Sequence, residues 1–238
     1  MALRAMALVM AATVGACATQ PPAGNAVALQ PKAPVVVHSL VFSDGSRLKD
    51  PPDEVRVVHR SSTGKAVAAR ALLGVALLAV GALNVSAFSK DDLKGESIEG
   101  VNDRERVRNP VGNDFVKELQ ARVSARVAAQ PALASRGFKN PIVVGGGSTS
   151  LVYESLLGDG EALYQMTTDI EVYKRRESAS VFTFDPIAKV RCADRSTPAR
   201  PMADWTAQDH VLVRQTLDPM LEQCAQRVLA QLDEMLKD

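Results

Sequence analysis

Aromatic side chains are scarce, at 4% of the 238 residues. So thin a supply argues against stacked platforms for bases or sugars. An excess of either charge is also lacking: 28 Lys and Arg face 27 Asp and Glu, for a net charge of +1. Nucleic acid calls for a basic field that this chain does not have, so no nucleic-acid partner is expected. Histidine is limited to His38, His59 and His210. His38 and His59 could meet if the first strands form a symmetric hairpin, but no third ligand stands at a recognisable spacing, so no metal site is expected. Gly145-Gly146-Gly147-Ser148-Thr149 follows a strand-like run. It lacks the Gly-Lys-Ser/Thr ending of a phosphate loop and is read as a flexible connection. Ser148, Ser150 and Ser155 stand outside any Gly-x-Ser-x-Gly elbow. Asp169 and Glu171 share the polar face of a strand and read as water-facing carboxylates rather than an acid/base pair. Lys174-Arg175-Arg176 reads as a solvated turn. No catalytic residue and no cofactor are expected, and the chain is not read as an enzyme.

What the chain does hold is a hydrophobic fraction of 46%, enough for one core. Its first residues form a distinct unit. Met1 to Arg4 is short and weakly positive, and Ala5 to Ala16 is uncharged, apolar and too short to span a bilayer as a helix. The run ends in Val14-Gly15-Ala16-Cys17. This resembles the lipobox of bacterial lipoproteins. The resemblance implies a signal peptide of residues 1–16, a diacylglycerol on the Cys17 sulfur, and a fatty acyl chain such as palmitate on the new amino terminus. It also implies, because Ala18 and not Asp follows the cysteine, onward transport to the periplasmic face of the outer membrane, with the inner membrane as the alternative. An ordinary secretory signal with a chance cysteine is the alternative. Residues 17–33 hold Pro21, Pro22, Gly24 and Pro31 and read as a lipidated tether, and residues 34–238 read as a single domain.

Several elements can be read in that domain. Val35 to Phe42 and Val55 to His59 are β-branched and form a loose hairpin across Asp44-Gly45 and Pro51-Pro52. Asn113 caps a helix bearing Phe115, Leu119, Val123 and Val127 on one face. Ile142 to Val144 is a short strand. From Ala162 to Val172 the even positions are mostly apolar and the odd ones, from Gln165, polar, which is a strand with one buried and one wet face. A second strand carries Phe182, Phe184, Ala188, Val190 and Cys192, interrupted at Pro186. A last helix, about Thr206 to Leu236, bears the stripe Leu217, Leu221, Cys224, Val228, Leu232 and Met235, with a kink or restart at Pro219. Strand and helix periodicities bring Cys192 and Cys224 to one interface, and an oxidising periplasm then favours a disulfide; two buried free thiols are the alternative. The fold expected is α+β: a small, mostly antiparallel sheet covered by helices. Over about half the chain this element order resembles small domains of envelope lipoproteins, including those of curli and polysaccharide secretion.

One segment fits none of this. Ala71 to Ser89 carries no charge, within an expected apolar helix of about residues 66–88. Nineteen helical residues extend about 28 Å, close to a bilayer core. Leu72, Leu77 and Leu78 supply apolar surface, and Gly74 and Gly81 lie on nearly the same face, two turns apart. Arg56, Arg60, Lys65 and Arg70 precede the run, while Asp91, Asp92 and Glu96 join Lys90 and Lys94 after it. That order asks for a cytoplasmic leading side, which a lipidated amino terminus contradicts. Three readings stay open: burial within the domain or against a partner, insertion into a membrane from the periplasm as an oligomeric component, or a signal anchor. The expected function is that of a membrane-anchored, non-catalytic accessory or assembly component of an envelope complex, with a protein partner or further copies of itself. A periplasmic enzyme or small-ligand binder is the alternative.

Overall fold

The computed structural model describes residues 33–48, 53–61, 95–155, 160–180, 182–183 and 186–237. All belong to one compact unit, Pro31–Asp238. Cys17, the signal stretch and the apolar run with Leu72, Gly74, Leu77, Leu78 and Gly81 lie outside the described residues. Among the described residues, no helix is long and apolar enough to cross a membrane.

The fold is α+β, as its alternating periodicities predict: a seven-stranded mixed sheet with helices packed on it. Its spine is an antiparallel pair, β4 (Ile142–Tyr153) and β5 (Leu163–Arg175). The outer side of β4 is shared by two short strands that both run parallel to it. β1 (Val36–Ser39) pairs with Ile142 to Gly145, and β2 (Arg56–Val58) pairs with Ser150 to Val152. β1 and β2 therefore do not form the expected hairpin with each other. β3 (Glu96–Ser97) closes antiparallel on β2. Beyond β5 lie β6 (Ile187–Arg195) and the short β7 (Arg200–Pro201). Strand β6 begins only after Pro186, which has no N–H to give a ladder, and Phe182 is left 93% exposed in the preceding loop instead of on a strand face. Phe184 lies outside the described residues.

Helices α1 (Val116–Ala128) and α3 (Met202–Ala230) cover one face of the sheet; α2 (Pro131–Ala134) and α4 (Leu232–Met235) are single turns. Alternation along the strands sends Tyr164, Met166, Ile170, Val172, Val190 and Cys192 to that face, all buried. The stripe Leu119, Val123 and Val127 of α1 and the stripe Leu217, Leu221, Cys224 and Val228 of α3 meet them. The expected disulfide is formed: Cys192 on β6 is bonded to Cys224 on α3, with Cα atoms 5.6 Å apart. Asn113 does not cap α1. A wide turn, Val111–Phe115, leads into the helix from Pro110. Pro219 does not break α3 either; the non-helical residues are Ala207 to His210.

The opposite face of the sheet is partly covered by the segment after β1. Phe42 lies on Gly146, where a Cβ would come within 2.3 Å of its ring. Gly146 and Gly147 have φ of +76° and +96°, and the β4–β5 register shifts there by one residue. The glycine run expected to be a loose connection is thus a bulge inside a twelve-residue strand, where only glycine admits both the backbone twist and the aromatic ring.

Candidate functional site

Each residue type that sequence reading weighed for chemistry is placed by the fold, and most are drawn into structural work. His38 pairs with Val144 near the start of β4, whereas His59 follows Val58, which pairs with Val152. At about 3.3 Å per residue the two histidines are separated by roughly 25–30 Å along the sheet. His38 Nε2 lies 3.0 Å from the carbonyl oxygen of Gly146. Asn109 Nδ2 donates to the carbonyl of Gly147 at 2.7 Å and its Oδ1 accepts the N–H of Val111 at 3.1 Å. These two side chains satisfy the backbone of the bulge and tie it to the start of α1. Sequence reading missed Asn109; its position before Pro110 at a helix start was the available signal.

Asp169 is held by Arg191 at 2.9 Å. Glu171, expected to face water, is 3% exposed because the Phe42 segment covers it, and it accepts the N–H of Ser43 at 2.7 Å. Lys174, read as part of a solvated turn, is fully buried and donates to Glu177 at 2.6 Å. Arg176 meets Glu234 at 3.2 Å, while Arg175 is exposed. Among the described residues, no three His, Cys, Asp or Glu side chains gather as metal ligands.

Two surface features remain. The first is a shallow groove of about 740 Å³ between α1 and α3, lined by Asp114, Phe115, Glu118, Arg214, Asp218 and Glu222 among others. Its charges are paired. Arg122 bridges Glu118 at 2.5 Å and Glu222 at 2.6 Å, and Arg108 meets Asp114 at 3.1 Å. The bonds from Arg122 and Gln226 lower the Glu222 carboxyl to about 2.

The second feature is the end of the sheet where β2 runs out. Val57 pairs with Glu96, and the backbone of Gly95 passes so close that a Cβ there would lie 3.0 Å from both Arg56 Cβ and the Val57 carbonyl. His59 Nδ1 lies 3.2 Å from the Tyr164 hydroxyl, with the two rings edge to face. Arg60 Nη1 donates to the carbonyl of Gly160 at 3.5 Å. Trp205 Nε1 donates to the Tyr164 carbonyl at 3.2 Å. The only Trp and two of the three Tyr, Tyr164 and its β4 neighbour Tyr153, thus collect at this end. The chain leaves the sheet here after β2 and returns to it at β3. Strands β2 and β3, on either side of positions 62–94, therefore belong to one sheet.

No protein family, curated protein or solved structure matches this chain.

Proposed function

We propose that this chain is a periplasmic lipoprotein, anchored through Cys17, that works as a non-catalytic assembly component of an envelope complex. The observation that carries the reading is the shared sheet: β2 and β3, on either side of the apolar run, are paired neighbours. Strands that hydrogen-bond to each other lie on the same side of any membrane, which counts against a single crossing between them and against the signal-anchor reading. A lipid anchor at the amino terminus agrees with that arrangement. The disulfide joining β6 to α3 supports an oxidising compartment. The paired charges of the α1–α3 groove favour contact over catalysis. An apolar run such as Ala71 to Ser89 must be buried, meet lipid or meet a partner, since exposure of that much apolar surface drives association.

The test joins labelling to crosslinking in intact cells. Replacing Cys17 with Ser abolishes incorporation of labelled fatty acid. Placing Asp at both Leu77 and Leu78 removes the crosslinked partner or oligomer while the fold of residues 160–238 persists, because a buried charge without a partner is costly. Labelling that survives Cys17→Ser overturns the anchor. Turnover of a substrate by purified monomer, lost on His38→Ala, replaces assembly by the enzyme reading.

A further inference from the structure

Helix α3 is interrupted after its first five residues, Met202 to Thr206. Ala207 is extended, and Gln208, Asp209 and His210 follow with φ of 51°, 55° and 66°. None of the three is glycine, and a run of L-residues in the left-handed region persists only where its surroundings impose it. The imposing contacts come from the segment after β3. Arg106 Nη1 donates to the carbonyl of Gln208 at 2.6 Å. The Asp209 carboxylate accepts the N–H of Asn102 at 2.8 Å and of Asp103 at 3.2 Å. Those bonds, that from Asn102 first, hold the Asp209 carboxyl below the usual carboxylate range.

What this clasp holds in place is His210. His210 is 2% exposed, and neither ring nitrogen has a hydrogen-bond partner. Burial of an imidazole without a partner is unfavourable, and burial of an imidazolium far more so. The charged groups around the break are already committed. Asp209 Oδ1 lies 3.8 Å from His210 Nδ1 but serves the amides just named and Arg106. Asp103 also pairs with Arg106, Glu54 takes Arg104, and Glu105 takes Arg108. On α3 itself, Asp204 faces Arg200, and Arg214 donates to the carbonyls of Glu105 and Arg108. An imidazolium at His210 would find no uncommitted carboxylate among these groups.

We infer that residues 207–210 form an acid-opened hinge. When His210 takes a proton, its ring leaves the core for water, the clasp from Arg106 and Asp209 opens, and the three left-handed residues relax toward continuous right-handed helix. The short helical stretch Met202 to Thr206 then moves, drawing Trp205 away from the Tyr164 carbonyl. Acid acts on this hinge because protonation places a charge on a buried ring that has no hydrogen-bond partner. The inference does not depend on the assembly reading, since it uses only α3, the segment after β3 and the Tyr164 carbonyl.

Trp205 is the only tryptophan and is 1% exposed, so its emission reports the hinge directly. In the full-length protein titrated from pH 8 to pH 5, emission shifts reversibly to the red and iodide quenching rises, while the far-UV signal of helix and sheet is retained. His210→Leu abolishes the shift, and Arg106→Ala moves its midpoint to higher pH by weakening the clasp. His210→Gln, which keeps a polar group but cannot take the charge, serves where the leucine variant does not fold. A flat wild-type titration overturns the hinge, as does a shift that coincides with global loss of structure. A shift retained in both His210 variants also overturns it.

Discussion

Removing the Cys192–Cys224 bridge tests the core of this fold at its most measurable point. The substitution is Cys192→Ala with Cys224→Ala, so that no free thiol remains to reshuffle. The bridge joins residues 32 apart in sequence. In the chain-entropy account, closing a loop of that size restricts the unfolded chain by about 3–4 kcal/mol. Both cysteines are essentially inaccessible, at 0% and 1% exposed. Trimming two packed sulfurs to methyl groups therefore adds about 1–2 kcal/mol of lost contact. For a domain of this size each kcal/mol moves Tm by about 2–4 °C, so the double variant melts about 10–20 °C below the wild type. Calorimetry at pH 7 measures the shift. Urea unfolding followed at Trp205 separates the two contributions, since the entropic part reappears when the wild type is unfolded in reductant and the packing part does not. A Tm within about 3 °C of the wild type would falsify the assigned role, because the summed loss of about 4–6 kcal/mol corresponds to a fall of at least about 8 °C. So would two alkylated thiols in freshly isolated, unreduced protein.

Three further predictions rest on other parts of the structure. Gly146→Ala forces a methyl group into the Phe42 ring at a left-handed backbone position, costing about 2–4 kcal/mol from backbone strain and overpacking together; urea midpoints measure it, and Phe42→Ala in the same chain restores part of the loss. The Glu222 carboxyl is depressed in the fold to about 2 from an ordinary 4.5, so its contribution is present above pH 4.5 and is lost as pH falls from there toward 2. Glu222→Gln flattens the stability profile in that window, and a variant profile that still falls in parallel with the wild type contradicts the Arg122 pairing. Asn109→Ala, which orphans the Gly147 carbonyl and the Val111 N–H, costs about 1–3 kcal/mol in the same urea assay.

Much of the architecture was legible because burial and periodicity coincide. The even positions of β5 and the stripes of α1 and α3 each satisfy a single repeat, two or 3.6 residues, over many residues. The disulfide followed from the same logic, since both cysteines occupied apolar positions of adjoining elements. Pairing partners were not legible. Val36 to Ser39 and Arg56 to Val58 look like strands, but nothing local tells them to lie parallel to β4 and not against each other. The environments of Glu171 and Lys174 were missed for a related reason. The alternation of β5 sends Glu171 to the polar face, and burial comes from the Phe42 segment more than 120 residues earlier in the chain. Lys174 stood next to two arginines and looked like their neighbour in a turn, although it continues the buried even face. The α3 break is the clearest case. Ala-Gln-Asp-His contains no glycine or proline, and its conformation is imposed by Arg106 and the amides of Asn102 and Asp103. Pro219, where a local rule expected the kink, is accommodated in an exposed turn.

The sheet also fixes where the two segments that the proposal assigns to a membrane or a partner join the domain. The proposed tether ends at Ala33, three residues before Val36 pairs with Ile142. The excursion that holds the apolar run leaves beyond Val58, which pairs with Val152. Ten residues of β4 separate these points, so they stand about 33 Å apart, at opposite ends of the strand. On the assembly reading, an anchored domain can therefore offer the apolar run to a partner well away from the anchoring bilayer. Residues 17–33 reach at most about 55 Å when fully extended. Deleting residues 20–31 removes up to about 40 Å of that reach without touching Cys17 or the sheet. Lipidation and the thermal transition remain as in the wild type, crosslinking through the 71–89 region falls, and restoring twelve residues of unrelated flexible sequence brings it back. Crosslinking that persists undiminished in the shortened chain places the partner contact at the membrane surface, and the apolar run then acts beside the bilayer that holds Cys17.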